Sequence, residues 1–158
     1  MKNLTKTYML IIALTCSFSV FSQNTLSIAE SEAMEKSADS SVCAAHNLLF
    51  DCFVQWNDGS YNTAILLLNN ASSKYKTLLE IGTARKEYAS ITATLIGASQ
   101  MLTDSDLMLY DKNFSETMKT AKKDKKMKYN GTIYYVPKSY DFLFERLTDK
   151  TFIDGFCK

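Results

Sequence analysis

Apolar residues recur at steps of three and four through the first half of the chain, the spacing that places side chains on one face of an α-helix. The first of these stripes covers residues 34–56 and ends in the turn-forming sequence of residues 57–60. Two more stripes follow over residues 65–79 and 81–102, and they meet out of phase at Gly82. The pattern therefore predicts three helices, with a kink or short break near Gly82.

A polar stretch at residues 103–106 is typical of a helix boundary, because Thr103 and Asp106 have the spacing of a capping box. We expect this boundary to end one helix and to start another over residues 107–121. The lysine-rich run of residues 122–128 would close the new helix, since positive charges favour a helix C-terminus.

The pattern changes to that of a β-hairpin over residues 127–136. Asn130 and Gly131 are the pair favoured at the centre of a type I′ turn, and β-prone residues flank them. An apolar stretch after Pro137 predicts a last short helix. With only 5 glycines and 1 proline in 158 residues, the chain has too few breakers for a turn-rich β-fold. We therefore predict an all-α fold, a bundle of four to five helices with one small β-hairpin near the C-terminus.

Residues 1–22 have the three regions of a secretory signal peptide. Two lysines supply the positive start, residues 9–21 are mostly apolar, and small residues precede a cleavage point before Gln23. The apolar run is shorter than the roughly 20 residues of a membrane span. The end of this leader resembles those of exported proteins of Gram-negative bacteria. We expect an exported protein, periplasmic or secreted, in which residues 23–158 form a single helical domain with no stable membrane span.

Three cysteines remain after the leader, and in an oxidising compartment a disulfide between two of them is expected. Cys43 and Cys52 are nine positions apart, which is about 13.5 Å along a helix, whereas a disulfide needs Cα atoms within about 7 Å. A bridge should therefore join the first helix to Cys157 in the C-terminal tail. We favour Cys52 as its partner because it lies on the apolar stripe, and Cys43 remains the alternative.

The sequence offers few residues for catalysis. His46 is the only histidine, and Cys43 lies three positions before it on the same helical face. Such a pair could serve as nucleophile and base or as two zinc ligands, but nothing nearby completes either site. We interpret it as a partly buried cysteine beside a surface histidine. The chain has no phosphate-binding glycine loop and no haem motif, so we expect no enzyme, no cofactor and no metal.

Tyrosines and lysines gather in and beside the predicted hairpin. Tyrosine offers a large contact area with a polar tip, which protein interfaces favour. The formal net charge of +1 gives the chain as a whole no attraction for nucleic acid, so we expect a protein as the partner. The alternative is that alternate tyrosines pack on the helices. The candidate residues for partner binding are Tyr129, Tyr134, Tyr135, Tyr140, Lys125, Lys126 and Lys128.

These observations favour a non-enzymatic, exported protein-binding module, and within that class an inhibitor or immunity-type protein. The alternative is a structural or accessory subunit of a secretion or adhesion assembly in the cell envelope. A third hypothesis is an enzyme built on Cys43 and His46, which a disulfide at Cys43 would exclude, because a bridged cysteine has no thiolate.

Overall fold

The structure, a computed structural model, describes residues 26–82, 88–110 and 114–157. The predicted signal peptide, residues 1–22, lies outside the described residues. Within the described ranges, no helix combines the length and the apolar character that crossing a bilayer requires.

Three long helices come first, and short elements complete the fold. The predicted all-α bundle with a small β-hairpin near the C-terminus is confirmed. The long helices are α1 (Ile28–Val54), α2 (Asp58–Ile81) and α3 (Tyr88–Tyr110). They are followed by α4 (Phe114–Thr120), β1 (Lys125–Tyr129), β2 (Thr132–Val136), a 3₁₀ turn (Lys138–Tyr140), α5 (Asp141–Leu147) and α6 (Lys150–Phe156).

Side-chain caps and a glycine set the ends of the long helices. A reciprocal capping box starts α1, in which the Glu30 amide donates to Ser27 Oγ and the Ser27 amide donates to Glu30 Oε2. Asn57 starts α2 by accepting the Ser60 amide at 2.8 Å. At the other end of α2, the Gly82 amide donates to the Leu78 carbonyl at 2.9 Å. The predicted break near Gly82 is confirmed.

The central interface lies between α1 and α2. Small side chains on both helices let the two backbones approach closely, and large side chains fill the space on either side of them. Helix α3 packs chiefly against α2, while α5 and α6 pack against α1. The fully buried side chains of the α1–α2 interface are Ala38, Val42, Ala45, Leu49, Ala64, Leu68, Ala71 and Tyr75.

The predicted boundary at residues 103–106 is wrong, because α3 continues without a break to Tyr110. The hydroxyl of Thr103 donates to the Ser99 carbonyl at 3.1 Å, and that of Ser105 donates to the Met101 carbonyl at 2.7 Å. Both side chains therefore satisfy their polar groups inside the helix and cap no new one. The sequence pattern did not distinguish these two uses of a hydroxyl.

The lysine run does not close a helix as predicted. Helix α4 ends at Thr120, and Lys125 already begins the first strand. The first strand of the hairpin thus begins two residues before the predicted start at Met127. The physical reason is that Lys125 lies directly opposite Val136, and this pair extends the β-ladder beyond the apolar residues that indicated it.

The disulfide joins Cys43 to Cys157, with 5.2 Å between their Cα atoms and 114 positions between them in sequence. The favoured pairing of Cys52 with Cys157 is wrong, and the alternative pairing is the one that forms. The apolar stripe that carries Cys52 faces the core, where its side chain is fully buried. The C-terminal helix docks on a different side of α1, and Cys43 lies on that side.

Close packing accompanies the bridge where α6 docks. A β-carbon placed on Gly97 of α3 would lie 2.7 Å from Cε2 of Phe152, so the phenylalanine ring occupies the space that a side chain would need. The rings of Phe152 and Phe156 pack against each other with centroids 4.6 Å apart. The C-terminal helix is therefore held by one covalent bond and by two aromatic side chains.

Replacement of Cys43 by serine should lower the free energy of unfolding by about 2–4 kcal/mol, because the bridge closes a long loop in the unfolded chain. Cys52→Ala, which removes the unbridged thiol, should cost about 1 kcal/mol or less. Urea denaturation of both variants measures this difference, and a non-reducing digest should link the Cys43 and Cys157 peptides. Equal losses in the two variants would contradict the assigned pairing.

Stability should also fall above about pH 10, the ordinary pKa of tyrosine. Burial raises the pKa of Tyr75, and its hydrogen bond to Asp39 Oδ1 at 2.6 Å raises it further. The folded state therefore holds a neutral Tyr75 where the unfolded chain ionises, and stability present below that pH is lost above it.

Tyr75→Phe isolates this contribution. The variant should be about 1 kcal/mol less stable at pH 7, because Asp39 loses its hydrogen-bond donor. Its free energy of unfolding should then fall less steeply than the original between about pH 10 and 12, as measured by urea denaturation at each pH. Parallel curves for the two proteins would show that Tyr75 does not carry the alkaline loss.

Candidate functional site

The hairpin predicted to bind a partner is a regular two-stranded antiparallel unit. Asn130 and Gly131 form its loop, with φ values of +46° and +81°. Both lie in the left-handed region that a type I′ turn requires, which explains why asparagine and glycine stand there. Across the strands Lys126 lies opposite Tyr135, and Lys128 lies opposite Ile133.

The two faces of the hairpin differ sharply. Side chains alternate along a strand, so residues at every second position share a face. The face that points towards the helices is buried or half-buried, except at Thr132 beside the turn, which is exposed. Every position on the other face is exposed, and we call it the outward face. The outward face consists of Lys126, Lys128, Ile133 and Tyr135.

Aromatic rings attach the inward face to the bundle. The ring of Phe50 on α1 has its centroid 5.0 Å from that of Tyr129 and 5.6 Å from that of Tyr134. Phe144 of α5 completes this cluster, 5.4 Å from Tyr134 and 6.1 Å from Phe50. Since an isolated two-stranded hairpin is marginal in water, this cluster provides the support that keeps the hairpin folded.

Lys125 ties the start of β1 to α5. Its Nζ lies 3.1 Å from Asp141 Oδ2 and 2.9 Å from Glu145 Oε1. The hydrogen bonds that Lys125 donates to Glu145 and Asp141 raise its pKa above the ordinary value. The positive charge of Lys125 is therefore compensated by carboxylates of the same molecule.

The structure does not bring the seven candidate residues onto one surface. Lys126, Lys128 and Tyr135 lie together on the outward face. Tyr129 and Tyr134 pack on the bundle, as the alternative interpretation of alternate tyrosines states. Tyr140 is buried with its ring 5.0 Å from that of Phe114, and Lys125 is engaged by two carboxylates.

Ile133 is the residue of the outward face that sequence reasoning missed. Its side chain is 48% exposed, close to the 54% of Tyr135. The signal was present in the sequence, because residues 133 and 135 of one strand must share a face. Ile133 was missed because only tyrosines and lysines were taken as candidates, and the apolar residue two positions from Tyr135 was not considered.

A cleft of about 480 Å³ lies beside β2, between Tyr134 and the last turn of α1. Phe50, Val54 and Trp56 supply its apolar walls, and Val54 is half exposed. The indole of Trp56 is held in place by donating to Asp58 Oδ1 at 2.6 Å. Asp51, Gln55 and Asn57 supply polar groups to the same cleft, and none of its lining residues is basic.

The Cys43–His46 pair has no catalytic geometry. Cys43 is bridged and has no thiolate to offer, so the enzyme hypothesis built on it fails. His46 is only 2% exposed, which corrects the expectation of a surface histidine. Its Nε2 donates to the Leu147 carbonyl at 2.5 Å, so the ring joins α1 to the end of α5.

The remaining chemistry of the described ranges is sparse. Among these residues no three His, Cys, Asp or Glu side chains converge as metal ligands would. Burial raises the pKa of the Cys52 thiol, whose Sγ lies 3.5 Å from the Asn57 carbonyl. A thiol in such a setting is held in its protonated, unreactive form.

No protein-family model, no curated protein and no solved structure matches this chain.

Phe50→Ala should loosen the hairpin, because it removes the ring shared by Tyr129 and Tyr134. We expect the free energy of unfolding to fall by about 2 kcal/mol, at the low end for a phenylalanine truncation because Phe50 is half-buried. NMR order parameters of the hairpin amides should fall as well. Phe142→Ala, at a side chain that is 49% exposed, is the matched control and should change neither quantity. Unchanged order parameters in Phe50→Ala would show that the cluster does not support the hairpin.

Proposed function

We propose that the protein is a non-enzymatic binding module that acts outside the cytoplasm, as an inhibitor or immunity-type protein that blocks another protein. The outward face of the hairpin is its contact surface. The observation that carries this proposal is the exposure of two large apolar side chains, Ile133 and Tyr135, directly opposite two lysines.

Three properties of the outward face support protein binding. Ile133 and Tyr135 are about half exposed, so a partner would remove apolar surface from water. In the described part of the chain, neither Lys126 nor Lys128 has an ion-pair partner, so both charges are available to a partner. The aromatic cluster beneath the hairpin orders the surface before binding, which lowers the entropic cost of association.

Two observations support a location outside the cytoplasm. The disulfide between Cys43 and Cys157 is a bond that oxidising compartments preserve. The charge and hydropathy of residues 1–22 are those of a secretory leader. Together they favour export of the chain before the bridge forms.

Two double variants test the contact surface. Each replaces one lysine by glutamate and one exposed, large apolar residue by alanine. Lys126→Glu with Tyr135→Ala alters the outward face, whereas Lys76→Glu with Leu66→Ala alters exposed positions of α2. The tagged chain and both variants are produced in the source cells, and recovered proteins are quantified by mass spectrometry. We expect the outward-face variant to recover at least about tenfold less of one partner, and the α2 variant to match the original.

Two results would contradict the proposal. Equal recovery of every protein by the outward-face variant would show that this surface is not the contact. Light scattering that finds a stable homo-oligomer, with no other protein recovered, would favour the structural or accessory subunit instead.

A further inference from the structure

We infer that the partner contributes an extended, acidic segment that adds to the edge of β1 as a third strand. This inference rests on the proposed function, because it specifies how the protein-binding module recognises its target. Backbone groups of Lys126 and Lys128 would pair with the segment, and their side chains would meet carboxylates.

The backbone of the hairpin offers two free edges. In a two-residue hairpin loop the flanking pair, Tyr129 and Thr132, is hydrogen-bonded, and the pairs then alternate along the ladder. The backbone groups of Lys126 and Lys128 therefore point away from β2. Among the described residues, no backbone group outside the hairpin bonds to them. Such an edge is a template for another strand.

Charge distinguishes the edge of β1 from that of β2. Residues 122–128 contain five lysines and one aspartate, whereas the outward side chains of β2 are Ile133 and Tyr135. Lys122 is paired with Asp124 at 3.9 Å, and Lys125 is held by α5. Among the described residues, the lysines of this run that have no ion-pair partner are Lys123, Lys126 and Lys128. The edge of β1 therefore presents uncompensated positive charge.

This charge also decides against a second copy of the chain as the occupant. Two β1 edges paired with each other would bring lysines from both copies together, and like charges on neighbouring strands repel. A segment with carboxylates at the same positions is attracted instead. The partner is thus of opposite charge and of different sequence.

The alternation of the strand fixes the pattern of the segment. Every second side chain of an added strand would point to the outward face, beside Lys126 and Lys128. The intervening side chains would lie on the side of Met127 and Tyr129, which are half-buried. The recognised segment therefore alternates acidic and apolar residues.

The probe is a short peptide in which glutamate and valine alternate, added to the full chain and followed by NMR and calorimetry. We expect saturable shifts of the Lys126 and Lys128 amides, and no such shifts with a peptide that alternates lysine and valine. Binding should weaken at least about threefold between low and physiological salt, since opposite charges attract across the edge.

Matched substitutions separate backbone pairing from charge. Lys128→Ala and Lys128→Pro remove the same charge, but only proline removes the outward N–H, at a position that contributes no bond to β2. We expect Lys128→Pro to bind at least about tenfold more weakly than Lys128→Ala.

Modified peptides provide a second test on the unaltered protein, which does not depend on the proline variants folding. One peptide carries N-methyl groups on its glutamates and the other carries them on its valines. Each modification therefore blocks the N–H groups along one edge of the peptide strand. We expect one of the two to lose binding. Loss with methylated glutamates indicates an antiparallel added strand, and loss with methylated valines indicates a parallel one.

The outcomes distinguish this inference from the proposed function. Equal binding by both methylated peptides and by both Lys128 variants would overturn strand addition and leave charge attraction alone. Vesicles of phosphatidylglycerol that shift the same amides when the peptide does not would overturn a peptide ligand in favour of a lipid surface. If the peptide does not bind but the outward-face variant still loses its protein partner, strand addition fails and the proposed function stands.

Discussion

Helix α1 must be covered on several sides at once, and the rest of the structure depends on how this is done. Its apolar stripe packs against α2, where small residues permit close contact. Its flank carries Cys43 and His46, which fix the C-terminal segment by a covalent bond and by a hydrogen bond. Its last turns carry Phe50, on which the hairpin rests. One helix thus sets the positions of the core, the tail and the candidate binding surface.

The sequence was informative wherever one local pattern decides the outcome. Apolar residues at steps of three and four predicted the long helices. The phase change between two of these stripes predicted the break at Gly82, and the pair Asn130–Gly131 predicted the turn. It was misleading where two local solutions use the same residues. Thr103 and its polar neighbours can cap a helix or bond back within one, and only the packing of α3 selects the second solution.

Contacts between distant parts of the chain could not be derived from the pattern. The apolar stripe marks the buried side of α1 but not the side on which the tail docks, so Cys52 was preferred over Cys43. Strand alternation indicates that Tyr134 and Tyr135 face opposite ways, yet the choice of inward face depends on Phe50 and Phe144. The four outward residues could be grouped only after that choice was known.

The bundle holds the hairpin as a regular ladder while the two edges of the hairpin stay open. Amide hydrogen exchange of the hairpin tests this claim most directly, because it reports each backbone N–H separately. We expect slow exchange at Met127 and Tyr134, whose backbone groups bond across the ladder, and fast exchange at Lys126, Lys128 and Tyr135, whose backbone groups point away from it. Fast exchange at all of these positions would show that the hairpin is not held, and slow exchange at all of them would show that its edges are already covered.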